Sequence, residues 1–193
     1  RDVLIVATGV ANTRSVIEAF GALGVACRIA DNASDLSSAD HVVLPGVGSF
    51  QAGALAIEGL RQSIVNRIGR GMPTLGICLG YQLFFESSEE SIEASGLGVL
   101  PGTLAKFEEG VRIPQMGWNR VDAPDCRLLG SGYAYFANSY VAKEPPEGWL
   151  TATATYGGPF VAGIERGYVV GCQFHPELSG DYGLGILERW LQC

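Results

Sequence analysis

Leu75-Gly76-Ile77-Cys78-Leu79-Gly80-Tyr81-Gln82 reads as a strand that ends on a single residue and turns at once into a helix. Glycines stand two places before and two after Cys78, the G-x-C-x-G frame of a nucleophile elbow. Such a turn is strained, and small residues on both sides let strand and helix pack closely around it. It lifts the side chain at its apex out of the carboxyl end of the sheet, where open α/β sheets bind ligands. The helix N-terminus beside it favours a thiolate. The backbone N–H of Leu79 would face an oxyanion formed there. A free cysteine is ordinarily a small core residue, but the flanking glycines give Cys78 a chemical role. Cys27, Cys126, Cys172 and Cys193 have no such frame and are expected to be structural.

Working outward, strand and helix signals alternate through the first half. Residues 3–7 form a continuous apolar run ended by Gly9, as in a strand buried on both faces. Asn12 and Thr13 can cap a helix whose apolar positions are Val16, Ile17, Phe20 and Leu23, closed by Gly24. Strands are expected over 25–30, over 41–44 before Pro45-Gly46, and over 73–77. Helices are expected over 52–68 and 79–85. This alternation predicts an open, mostly parallel sheet flanked by helices. From Gly98 onward the signals become short strands at 103–107, 133–141, 150–155, 160–165 and 168–174, punctuated by Gly, Pro and Asn. They read as antiparallel strands appended to the sheet, before a helix over 182–191. With no internal repeat, low-complexity tract or linker, residues 1–193 read as a single α/β domain.

The composition narrows the function. Hydrophobic residues make up 47% and charged residues 17%, which suits a large core. A net charge of −7 argues against nucleic-acid binding. No apolar run is long enough to span a membrane, and the first residues do not read as a signal peptide. Five widely spaced cysteines and two histidines make neither a disulfide framework nor a metal site, so no metal and no cofactor are expected. A reduced, cytoplasmic setting fits these thiols.

An ordinary thiol needs a base near neutral pH. His41 begins an apolar strand and reads as a packed residue. His175, in Gln173-Phe174-His175-Pro176-Glu177, stands at the carboxyl end of a strand. Pro176 restrains it to extended backbone. Glu177, two residues on, can turn back and hold the imidazole in one tautomer. Cys78, His175 and Glu177 thus form a candidate triad. In Pro45-Gly46-Val47-Gly48, glycines on either side of Val47 let its N–H reorient toward a developing negative oxygen.

Gly-Ile-Cys-Leu-Gly-x-Gln at 76–82 and Phe-His-Pro-Glu at 174–177 resemble class I glutamine amidotransferases, whose fold is a flavodoxin-like open sheet. Leu-Pro-Gly-Val-Gly-Ser-Phe at 44–50, Met-Gly-Trp-Asn at 116–119 and Tyr-Phe-Ala-Asn-Ser-Tyr at 135–140 extend the likeness over nearly the whole chain. They point to the glutaminase subunits of imidazole glycerol phosphate synthases. The resemblance implies a glutaminase with Cys78 as nucleophile, His175 as base, Glu177 as orienter, and backbone oxyanion donors at Val47 and Leu79. It implies glutamine contacts at Gly48, Gln82, Glu90, Ser139 and Tyr140. It also implies a heterodimer with a (β/α)8 cyclase that receives the ammonia, faced by Asn12, Trp118, Tyr135 and Leu178. The alternative is a paralogous glutaminase serving another synthase, such as one for surface-sugar amidination.

The chain departs from that family at Ala7-Thr8-Gly9 (usually Asp-Tyr-Gly), Tyr81 (Met), Gln115 (His), Asn138 (His) and Leu178 (Lys). None of these is a triad member. Gln115, Asn138 and Leu178 fall in segments used at or near the cyclase interface.

Overall fold

The computed structural model describes residues 2–8, 13–30 and 32–193. Its spine is a seven-stranded sheet in the order β10-β11-β12-β4-β3-β1-β2. The five strands β12 (Val169–Cys172), β4 (Thr74–Ile77), β3 (His41–Leu44), β1 (Val3–Ile5) and β2 (Cys27–Ile29) run parallel. β11 (Pro159–Arg166) and β10 (Leu150–Thr155) extend the sheet antiparallel beyond β12.

The apolar runs are explained by two covered faces. Val3, Ile5 and Val43 join one core cluster with Val16 and Phe20 of α1 (Thr13–Ala22) and Ile186, Leu187 and Trp190 of α6 (Gly180–Leu191). Leu4, Val6, Val42 and Leu44 point the other way. They pack with Leu36 of α2 (Ala33–Ser38), Phe50 of α3 (Phe50–Ala56) and Ile64 and Ile68 of α4 (Arg61–Gly69). Residues of period two therefore feed two cores, and no polar face is left on the central strands. His41 is buried edge-on against the Trp190 ring, 4.9 Å between centroids, as a packed residue.

Several local expectations are corrected. The helix expected over 52–68 is two helices separated by a 3-10 turn at Glu58–Leu60. Ser49 caps α3 earlier by accepting from the Ala52 N–H, and Ile57 leaves helical geometry at its end while staying fully buried. The helix expected over 79–85 is the single turn α5 (Leu79–Gln82). The carbonyls of Leu83 and Phe84 are taken by the N–H groups of Leu97 and Leu100, and the chain continues as strand β5 (Phe85–Ser88). Tertiary pairing overrides the helical pattern here. α2 was not foreseen; it is held by a capping box between Asn32 and Asp35.

The second half is also more varied than a set of antiparallel additions. β6 (Leu100–Lys106) pairs parallel with β5 and antiparallel with β9 (Tyr140–Val141). β7 (Gln115–Val121), which the sequence reading left out, forms an antiparallel pair with β8 (Gly132–Asn138). The strand expected over 133–141 is broken at Ser139. The expected helix cap at Asn12 and the strand stop at Gly9 lie outside the described residues.

Candidate active site

β4 lies at the centre of the sheet, and Cys78 follows its last residue. The backbone there is left-handed, φ 50° and ψ −106°, and Cys78 is the one non-glycine residue with positive φ among those described. The neighbouring glycines are sterically required. A Cβ on Gly76 would lie 2.9 Å from Tyr81 Cα and N, and one on Gly80 would overlap the Leu44 carbonyl of β3. The Cys78 N–H donates to the Cys172 carbonyl at 2.7 Å, tying the elbow to β12. α5 is a single turn, so the dipole expected beside the thiol is that of a very short helix.

β12 leads into His175, which brings the imidazole to the same sheet edge. Its N–H donates to Tyr135 O at 2.9 Å, and its carbonyl accepts from Ser179 Oγ at 2.6 Å. Ser179 Oγ in turn accepts from the Tyr135 N–H at 2.9 Å, so one buried hydroxyl locks the β7–β8 hairpin to the histidine segment. His175 Nδ1 is 2.8 Å from Glu177 Oε1, with both side chains 5% exposed. The ring is also close enough to Cys78 to interact with it electrostatically. Burial alone disfavours the imidazolium, but its interactions with Cys78 and Glu177 outweigh it. They raise the His175 pKa to about 10.

A cavity of about 150 Å³ opens over Cys78. It is lined by Val47, Leu79 and all five residues expected to contact glutamine: Gly48, Gln82, Glu90, Ser139 and Tyr140. Pro114, Ala137 and Asn138 complete its wall. Glu90 is partly committed, since its Oε2 accepts from the Phe50 N–H at 2.7 Å. A second cavity of about 120 Å³ lies between Val16, Tyr135, His175, Glu177 and Leu178, and shares Val47 and Ala137 with the first. The two expected oxyanion donors, Val47 and Leu79, both border the first cavity, and one of them is engaged. The Leu79 N–H donates to the Gly46 carbonyl at 3.3 Å.

Of the expected partner-facing residues, Trp118 is 59% exposed and Leu178 42% exposed. Tyr135 is half-buried and meets the Trp118 ring edge-on. Asn12 lies outside the described residues. Gln115 and Asn138 turn out to be buried cross-strand partners, so they present no side chain to a docking protein. Three contributors were missed by sequence reasoning. They are Ser179, the Ala137 carbonyl 3.9 Å from Cys78 Sγ, and Gln173, a polar residue within an apolar strand. That last contrast was visible in the sequence.

Glu177 holds His175 by charge and hydrogen bond, so its removal has a pH signature. The raised pKa means that the imidazolium is favoured by folding below about pH 6.5 and loses that support as pH rises through about 10. Glu177→Gln removes one of the forces raising it. The alkaline limb of kcat/KM is expected to move down by about one pH unit or more. The rate at neutral pH is expected to fall about 10²–10⁴-fold. A pH–rate profile with an unmoved alkaline limb would contradict this role.

The geometry can be set beside known proteins. The family "Glutamine amidotransferase class-I" matches residues 4–191. The imidazole glycerol phosphate synthase subunit HisH of Streptococcus gordonii is 43% identical over 187 residues, covering 93% of this chain and 90% of that protein. The chloroplastic imidazole glycerol phosphate synthase hisHF of Arabidopsis thaliana is 38% identical over 193 residues, covering 95% of this chain and 33% of its own length. A solved glutamine amidotransferase superposes with a TM-score of 0.80 at 22% identity, over 98% of this chain and 97% of that one, a likeness of fold. The chain belongs to the class I glutamine amidotransferase family and stands within it beside the HisH subunits of imidazole glycerol phosphate synthase.

Proposed function

We propose that this chain is a glutaminase subunit that hydrolyses glutamine to glutamate and ammonia and hands the ammonia to a cyclase making imidazole glycerol phosphate. The observation that carries the reading is one cavity bordered by a cysteine at a strained elbow, with a buried His–Glu pair behind it. Cys78, His175 and Glu177 then act as follows. His175, held by Glu177 at 2.8 Å, takes the proton of Cys78 as the sulfur engages glutamine. Sulfur attacks the carboxamide carbon, and the tetrahedral oxyanion is met by N–H groups of Val47 and Leu79. The imidazolium protonates the departing ammonia. Neutral His175 then draws a proton from water, which opens the thioester to glutamate and restores the thiolate.

Glutamine itself is read at Gly48, Gln82, Glu90, Ser139 and Tyr140. Glu90 supplies a carboxylate for the substrate ammonium, and backbone amides along the loop serve its carboxylate. Ammonia leaves past Val47 through the second cavity, beside Tyr135 and Leu178. Exposed Met116, Trp118 and Leu178 form an apolar rim suited to a protein partner. A cyclase partner is supported by the relatives' names. In the Arabidopsis protein, a chain named hisHF, the stretch like this one is a third of the whole. Both core clusters share one sheet, in keeping with one domain over 1–193, and five free thiols suit a cytoplasmic protein.

Leu178 favours keeping a second reading, because it cannot make the charged contact a lysine would. On that reading the ammonia goes to another synthase. Mixing the chain with a matched cyclase and its phosphorylated nucleotide substrate decides between them. Glutamine-dependent imidazole glycerol phosphate is the expected product. Failure to form it, with glutamine hydrolysis intact, would shift the assignment to the paralogous reading.

A further inference from the structure

Gln173 sits between Cys172 and Phe174 and has no exposed surface. Burying a primary amide in an apolar strand is costly unless its polar atoms are used. Here each is directed. Gln173 Oε1 accepts from Gln82 Nε2 at 3.1 Å, and Gln173 Nε2 lies 3.7 Å from Cys78 Sγ.

The orientation of these amides follows from donor and acceptor chemistry alone. The backbone carbonyl of Tyr140 can only accept, and Gln82 Nε2 donates to it at 3.1 Å. Gln82 must therefore turn its nitrogen inward, which also points an N–H at Gln173. Gln173 must answer with its carbonyl, which leaves its own nitrogen facing the sulfur. A flipped amide at either position would set oxygen against oxygen or nitrogen against nitrogen. The sulfur thus has a fixed, neutral donor 3.7 Å away and the Ala137 carbonyl 3.9 Å away. Other titratable groups around it are Glu177, paired with His175, Cys172, whose carbonyl accepts from the Cys78 N–H, and Glu90 on the same cavity.

We propose that Gln173 is a catalytic hydrogen-bond donor to the Cys78 sulfur, held in register by Gln82 and the Tyr140 carbonyl. It rests on the reading of Cys78 as the nucleophile. The N–H supports the thiolate before attack. When the sulfur–carbon bond forms, the sulfur gives up its charge and the contact weakens. When water opens the thioester, the electron pair returns to sulfur and the same N–H receives it. Protons move only through His175, so no further reactant is needed.

The test is alkylation of Cys78 by iodoacetamide across pH, followed on the Cys78 peptide by mass spectrometry in the wild-type chain and Gln173→Met. Loss of a donor to an anion should move the midpoint of the profile up by about one pH unit. A less supported thiolate is scarcer but more nucleophilic, with a Brønsted slope near one half. The variant should therefore react roughly threefold more slowly below the midpoint and roughly threefold faster on the alkaline plateau. Such crossing profiles separate a donor from a packing residue, whose loss slows the reaction at every pH. A folded Gln173→Met with the wild-type midpoint overturns the proposal. If that variant does not fold, Gln173→Glu retains the acceptor for Gln82 and should move the midpoint further up; an unmoved midpoint again overturns it. Wild-type protein left unalkylated at Cys78 is a separate result, and it refutes the nucleophile itself.

Discussion

Replacing Cys78 by alanine should abolish glutamine hydrolysis, a fall of roughly 10⁴–10⁶-fold, while the protein stays folded. The loss is large because no other thiol is placed to take over. Burial, helped by nearby carboxylates, pushes the Cys27 and Cys126 thiols up to about 11. Cys172 is fully buried, and its pKa is driven well above the ordinary range. Cys78 borders the substrate cavity, with the buried His175–Glu177 pair behind it. Folding should be spared because the side chain is small and its contacts are weak, with polar partners at 3.7 and 3.9 Å. The left-handed backbone is maintained by the close packing of Gly76 and Gly80, which alanine at position 78 does not disturb. Glutamate release, measured beside a thermal melt, checks both halves. Retained hydrolysis would move the nucleophile elsewhere and undo the mechanism with it.

What made this cysteine legible was locality. Gly76, Cys78 and Gly80 specify the elbow within five residues, because the steric demand comes from the turn itself. His175-Pro176-Glu177 is local too, and its 2.8 Å pair needs only a proline-fixed turn. Parallel strands were readable because Val3, Leu4 and Ile5 feed both cores and so show no alternation. The rest depends on contacts distant in sequence. The helix expected over 79–85 stops after Gln82 because Leu97 and Leu100 take the next carbonyls. The orientation of Gln173 is set by Gln82 and Tyr140, which no window around Gln173 contains. β7 was missed because Met116-Gly117-Trp118-Asn119 lacks clean alternation, and only its pairing with β8 makes it a strand. Gln115 and Asn138 fall in segments that the resemblance places at or near the cyclase interface. Strand register sets them opposite each other on β7 and β8, and both are buried.

The second large effect concerns the oxyanion site, and a bound cyclase is expected to raise glutaminase turnover about 10²–10³-fold. The peptide between Gly46 and Val47 is planar, so its carbonyl and its N–H point in opposite directions. In this conformation the Gly46 carbonyl is directed at the Leu79 N–H, 3.3 Å away. One donor is therefore occupied, and the Val47 N–H, on the far side of the same plane, faces away from where the oxyanion would form. A single flip of that peptide would free the first donor and deliver the second. Each such donor contributes on the order of 2.7–4 kcal/mol to the barrier. Gly48, at φ 118°, holds a conformation that other residues rarely adopt and gives the loop a hinge. Val47 is 37% exposed and borders both cavities, so a partner resting on Leu178 and Trp118 can bias the flip. Steady-state hydrolysis with and without matched cyclase measures the effect, and equal rates would sink it. Gly48→Ala offers an internal control. It should still dock, yet the stimulation should shrink through a raised rate without cyclase, because alanine strains the φ 118° backbone that the resting loop holds.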